Sequence, residues 1–185
     1  MADLKITELP YSAGLMSQSF WFVEFKKIVK LIAGGKTDAE IKTICVEENL
    51  FGAAKEYRAR RMCGYILNRA KRLDGHMIEL FLNSDLNTQK IINLITILRG
   101  DRLFFEFMFE VCREKIILGV PVIEDFDLNV FFSNKETQSE DIGDWKDTTK
   151  KHLRTNYMTY LSDARISSVS FAFLMPLVYF LMNEL

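Results

Sequence analysis

Between Lys55 and Arg72 the chain places seven basic residues, Lys55, Arg58, Arg60, Arg61, Arg69, Lys71 and Arg72, against one carboxylate, Glu56. That is a local charge of +6 in a chain whose formal net charge is −1. Guanidinium groups at this density suit one kind of chemistry above others. Their planar fork bonds phosphate oxygens in pairs and stays ionised wherever proteins fold. A cationic segment on a near-neutral body is the electrostatic footprint of polyanion binding.

Helical spacing sharpens the pattern. At about 100° per residue, Arg58, Arg61, Tyr65, Arg69 and Arg72 share a stripe roughly 80° wide. The stripe flanks an apolar face made of Ala59, Met62, Cys63, Ile66, Ala70 and Leu73. Projecting outward together, four guanidinium groups would meet successive backbone phosphates or a groove edge, with Arg60 and Lys71 adding unspecific attraction. A smaller cluster, Lys150, Lys151 and Arg154, would extend the footprint if it folds back beside the first. Two other readings use the same residues: an ion-pair network with acids elsewhere in the fold or in another subunit, and a plainly solvated helix face. Glu56 alone is a poor neutraliser, and like charges on neighbouring turns destabilise an isolated helix. Val120 to Asp147 carries the opposite sign, eight acids against two bases, and reads as a solvated surface or a docking face for something basic.

Catalytic chemistry finds few parts. No glycine-rich phosphate loop, no GxSxG elbow and no Cys/His ligand spacing occurs, and the only histidines are His76 and His152. No catalytic residue, no metal site and no cofactor is expected. Cys45, Cys63 and Cys112 are too far apart to suggest a disulfide framework, which points to a reducing, cytoplasmic setting.

The elements that must carry the basic stripe are helices. With 185 residues, 49% hydrophobic, and only nine Gly and three Pro, the chain reads as all-α, a compact multi-helix bundle. It is expected to be a single domain over 1–185, with a possible division into a basic half, 11–99, and a Phe-rich half, 101–185. Apolar spacing predicts helices over Ser12–Ala33, closed by Gly34-Gly35, and over Thr37–Glu48, opened by a Thr37/Glu40 capping box. The basic helix follows from about Ala53 to Leu73. Further helices are predicted over Gly75–Leu82, Asn87–Arg99, Asp101–Leu118, Asp125–Phe132 and Ser139–Ala164. Asp101–Leu118 is apolar nearly all round and reads as the central helix. Short capped helix, turn, then basic helix gives the N-terminal half a helix-turn-helix-like layout. The uncharged run from Ile166 to Asn183, with Pro176 inside it, reads as a buried element or subunit contact; a membrane anchor is the minor alternative.

Several ordered stretches also carry a family likeness. They are Tyr11–Leu15 followed by Trp21 and Glu24, Glu40-Ile41-Lys42, Asn49-Leu50-Phe51, Gln89–Leu94, Asp101–Phe104, Glu106-Phe107-Met108 and Lys135–Trp145. Over about Tyr11 to Ile166 the chain resembles the BrxA family of bacteriophage exclusion (BREX) systems. The resemblance implies an all-helical fold similar to the antitermination factor NusB and binding to double-stranded DNA. It also implies a place in a defence operon beside an adenine-specific DNA methyltransferase and an ATPase. It names no catalytic or DNA-contact residue. The expectation is therefore a non-enzymatic DNA-binding accessory protein, working with other BREX components. Two alternatives remain open: a module docking an acidic partner, and an RNA-binding antitermination-like protein.

Overall fold

Backbone hydrogen bonding decides where the first long helix begins. The computed structural model describes residues 6–120 and 122–165. Ser12–Ala33, expected as one helix, is a single 3-10 turn at Gly14–Ser17, an irregular stretch at 18–20, and α1 over Phe22–Ala33. Trp21 marks the break, with a left-handed φ of 47° that is uncommon for a bulky side chain. At its far end α1 closes as expected. Gly35, at φ 77°, donates to the Ile32 carbonyl, and Lys36 donates to Leu31.

α2 (Asp38–Glu47) starts on the expected capping box. The Glu40 N–H donates to Thr37 Oγ1 at 3.3 Å, and the Thr37 N–H donates to Glu40 Oε2 at 2.8 Å. With the hydrogen bond from Lys36 and those from Thr37, the Glu40 carboxyl is held down to about 2. α3 (Glu56–Ala70) is the basic helix, reached through a connection at 48–55 that is longer than a helix-turn-helix turn. α4 (Gly75–Asn83) is capped by Asp74, and α5 (Leu86–Leu98) by Asp85, whose carboxylate accepts from the N–H groups of Asn87 and Thr88.

The chain divides into two compact units. One is 18–97. Its core gathers Phe25, Ile28 and Val29 of α1, Ile41 and Cys45 of α2, Cys63, Ile66 and Leu67 of α3, and Phe81 of α4. The other unit includes the described stretches 6–17 and 98–165. Asp101 caps α6 (Arg102–Phe107). The helix then loosens into a π turn, Met108–Cys112, before α7 (Arg113–Ile117). Next come α8 (Asp125–Gln138), six residues longer than the apolar spacing suggested, α9 (Glu140–Gly143) and α10 (Asp147–Asp163). The single helix expected over 139–164 is thus broken at 144–146. No strand occurs among the described residues, so the all-α expectation holds. The apolar run at 166–183 lies outside them.

Aromatic packing organises the second core. Phe104 lies 4.6 Å from Tyr157 and 5.5 Å from Tyr160 between ring centres, and Phe107 lies 5.4 Å from both Phe131 and Tyr157. Beside it runs a half-buried charge network. Lys135, only 3% exposed, donates to Glu106 at 2.7 Å and to Glu110 at 2.6 Å. Glu106 also accepts from Arg102 at 2.7 Å and from the Tyr11 hydroxyl at 2.9 Å. Burial by itself would push the Glu106 carboxyl up, but the hydrogen bonds from Lys135, Arg102 and Tyr11 outweigh it and hold it below the ordinary value of 4.5. Likewise burial would lower the Lys135 ammonium, and its two carboxylates instead raise it.

A carboxyl depressed in the folded state stabilises the fold in full above its unfolded value, and that contribution drains as pH falls through the folded value. Glu106→Gln is therefore expected to cost about 2–4 kcal/mol at pH 7, because it leaves Lys135 buried with one carboxylate fewer. Between pH 5 and pH 3, denaturant unfolding should show the wild type losing more stability than the variant. Parallel curves would mean that Glu106 titrates normally.

Candidate nucleic-acid interface

The stripe of five residues does not all face solvent. α3 packs on α1 and α2 with Ala59, Cys63, Ile66 and Ala70 buried as the spacing predicted; Leu67, outside the expected face, is buried too, and Met62 is only half-buried. Arg58 and Arg61 stand exposed one turn apart. Neither has a hydrogen bond or ion pair among the described residues. Arg60 is engaged by Glu56 at 2.6 Å, and Lys71 by Asp38 at 2.6 Å. Both pairs are solvent-exposed, and exposed pairs contribute about 0–1 kcal/mol, so an incoming phosphate can displace either carboxylate.

Arg69 corrects the expectation of a shared outward stripe. It is 2% exposed and turned into the fold. Its Nη1 donates to the carbonyls of Ser19 at 3.0 Å and Phe20 at 3.2 Å, and its Nη2 donates to Gln18 Oε1 at 2.8 Å. The guanidinium carbon also sits 5.5 Å from the centre of the Trp21 ring. Asn93 Nδ2 adds a second donor to Phe20 O at 2.9 Å. The physical reason is the break in the chain just described. The carbonyls of Ser19 and Phe20 are outside any helix, and an unpaired buried carbonyl costs about 1–3 kcal/mol. On the wheel Arg69 is the stripe member nearest the apolar face, about 20° from Met62.

Arg72 is half-buried and donates to the Thr96 carbonyl at 2.8 Å. Tyr65 is also half-buried, its ring stacked on Trp21 at 6.2 Å and 20°. The outward cationic surface of α3 is therefore Arg58 and Arg61, bordered by Lys55 at the helix start and Tyr65 one turn on. Lys55 contributes to the charge of the segment but falls outside the expected stripe; its position just before the first helical turn is the signal that places it at this surface.

The second cluster comes apart. Lys150 is buried, 3.0 Å from Glu136, and Arg154 lies with its guanidinium carbon 5.0 Å from the Phe132 ring centre. Lys151 alone of the three is exposed. All three belong to the second unit.

Charge divides along the same line. Residues 18–97 hold thirteen Lys/Arg and nine Asp/Glu, a net +4. The described residues of the other unit hold ten and fourteen, a net −4. No group of three or more His, Cys, Asp or Glu among the described residues is placed to hold a metal. No described helix is long and apolar enough to cross a membrane.

Fold and surface together define an all-helical protein with a cationic helix on one unit and an acidic second unit. The family model for BrxA matches residues 9–171. A BREX protein BrxA from Bacillus cereus (strain H3081.97) is 36% identical over 159 residues, covering 86% of this chain and 80% of that protein. The chain belongs to the BrxA family of bacteriophage exclusion systems.

The two kinds of arginine should separate in unfolding experiments. Arg69→Met is expected to lower stability by about 1–3 kcal/mol, by removing the donor to the Ser19 carbonyl and the Gln18 amide oxygen and one of the two donors to the Phe20 carbonyl. Arg58→Ala and Arg61→Ala should each stay within about 0.5 kcal/mol of wild type. An Arg69→Met effect as small as theirs would show that those carbonyls find other donors.

Proposed function

We propose that this protein is a non-enzymatic, DNA-binding component of its phage-defence system, and that α3 of residues 18–97 meets the duplex backbone. The observation that carries this is the pair Arg58 and Arg61: exposed, one turn apart, without counter-ions among the described residues, on the unit of net positive charge. Lys55 borders them at the helix start, and Lys71, at the far end of α3, exchanges Asp38 for phosphate on binding. Arg69, Arg72 and Tyr65 serve at one remove. Arg69 and Tyr65 fix α3 against the segment leading into α1, and Arg72 fixes it to α5, so the helix that carries the outward arginines is held in place.

Two exposed arginines without a neighbouring base-reading constellation favour phosphate contact over sequence readout, since phosphate contacts position a protein and base contacts specify it. Affinity is then dominated by counterion release and falls steeply with salt. The same groups accept any phosphate backbone, which is why duplex DNA and structured RNA belong in one experiment. The protein acts in the cytoplasm, where its polyanion is, and works beside other components of the system.

Fluorescence anisotropy with a labelled duplex tests this. The wild type should give a linear fall of log affinity with log salt. Arg58→Glu combined with Arg61→Glu should weaken binding by at least about tenfold and flatten the slope by about two, one for each phosphate that is no longer neutralised. The unfolding midpoint should be unchanged. Unaltered affinity in the double variant removes α3 from the interface. Displacement by structured RNA at concentrations where duplex competitor fails reassigns the site to RNA.

A further inference from the structure

Large apolar side chains left in solvent are unevenly spread over this chain. Ile117, Leu118, Phe126 and Val130, all exposed, cluster where α7 ends and α8 begins, and Phe126 is 70% exposed. They are not scattered singly, which would need no explanation. Leu118, Phe126 and Val130 line one groove of about 250 Å³, with Val111 and Phe131 at its floor. The polar residues of its rim are mostly acids. Glu110 and Glu114 stand on one side and Asp127 on the other, and Lys115 and Asn134 also line it. Asp127 is paired with Lys115 at 2.8 Å and Glu110 with Lys135 at 2.6 Å, so Glu114 is the rim acid best placed to meet a partner. Glu124 and Asp125, both exposed, lie just beyond. Glu114 is 56% exposed, paired with Arg113 only at 3.3 Å. The unit that carries the groove is net acidic.

We infer that the α7–α8 groove is the docking site for a cationic amphipathic helix of another protein, with an apolar stripe on the groove floor and Lys/Arg against the acidic rim. The form of the occupant follows from the fold. A groove between two helices takes a third helix ridge into groove, and an amphipathic helix presents the anchors at i, i+3, i+4 and i+7 that such a floor needs. Strand addition has no edge to use, since the described residues contain no strand. Nucleic acid is disfavoured by the acidic rim. Among the described residues, a second copy of this chain offers no suitable helix. Its basic segment is α3, and the apolar side of α3 is already buried in its own unit through Cys63, Ile66, Leu67 and Ala70. The inference is independent of the phosphate contact on α3.

The probe is a labelled synthetic helix of about 18 residues, long enough to hold its helix when docked. It carries Leu at i, i+3, i+4 and i+7 and Lys along both flanks, and it is titrated into the full chain by anisotropy. Saturable binding is expected. Phe126→Glu with Val130→Glu should weaken it at least about tenfold, as removal of central apolar anchors does. Glu114→Lys should weaken it less and reduce its salt dependence. Both variants should melt like wild type, because the altered side chains are exposed, and both should keep duplex DNA affinity. Three outcomes overturn the inference. One is binding that survives Phe126→Glu with Val130→Glu. Another is equal binding of a probe with Glu in place of Lys. The third is a dimer in sedimentation of the free chain that the Phe126→Glu variant dissociates, which would give the groove to a second copy.

Discussion

The unit at 18–97 depends on one backbone problem and its solution. Three residues between the Gly14–Ser17 turn and Trp21 run without helical hydrogen bonds, close to the core. The carbonyls of Ser19 and Phe20 need donors, and α3 and α5 supply them through Arg69 and Asn93. A guanidinium is suited to the task because its fork reaches several acceptors at once. Once Arg69 is turned inward, Trp21 is held by it and by Tyr65 in a left-handed backbone conformation, and α1 starts where it does. The same bonds tie α3 to the chain entering α1, so the most basic helix of the protein is anchored by one of its own cations.

The second unit meets a related difficulty with charge. Lys135 is enclosed beside the aromatic cluster of Phe104, Phe107 and Tyr157, where an unpaired ammonium would be costly. Two carboxylates from α6 and the π turn meet it, and Arg102 and Tyr11 complete the bonding of Glu106. Two cations and two carboxylates balance in this network, so the net acidity of the unit lies outside it. Opposite charge on two units of one chain gives each a different class of partner: by our proposals, phosphate for one and a basic helix for the other.

Much of this is legible in the sequence. The Thr37/Glu40 cap, the Gly35 stop, the buried face of α3 and the exposure of Arg58 and Arg61 all follow from spacing and residue type. The fate of Arg69 does not, and the reason is specific. Apolar periodicity carries Ser12–Ala33 through as one helix, because Leu15, Phe20, Trp21 and Phe22 fit a wide band. In a continuous helix the carbonyls of Ser19 and Phe20 would be satisfied internally, and no inward arginine would be needed. The hidden break and the misplaced guanidinium are therefore one error. Lys150 is deceptive in a similar way: a cation next to an apolar stripe reads as exposed until its partner, Glu136 on a different helix, is in view. The break at 144–146 has no helix-breaking residue other than Gly143 to announce it.

The π turn at Met108–Cys112 carries the chain through a wider loop of backbone than its neighbours in the rod from Arg102 to Ile117. Winding the same residues as unbroken α-helix would advance everything beyond the turn by about 100°. Cys112 would leave the interior, and Leu118 would swing off the rim it now shares with Phe126. The irregular turn therefore acts as a phase corrector. It absorbs one step of rotation locally, so the far end of the rod keeps its aim without any change to the core on which the near end sits.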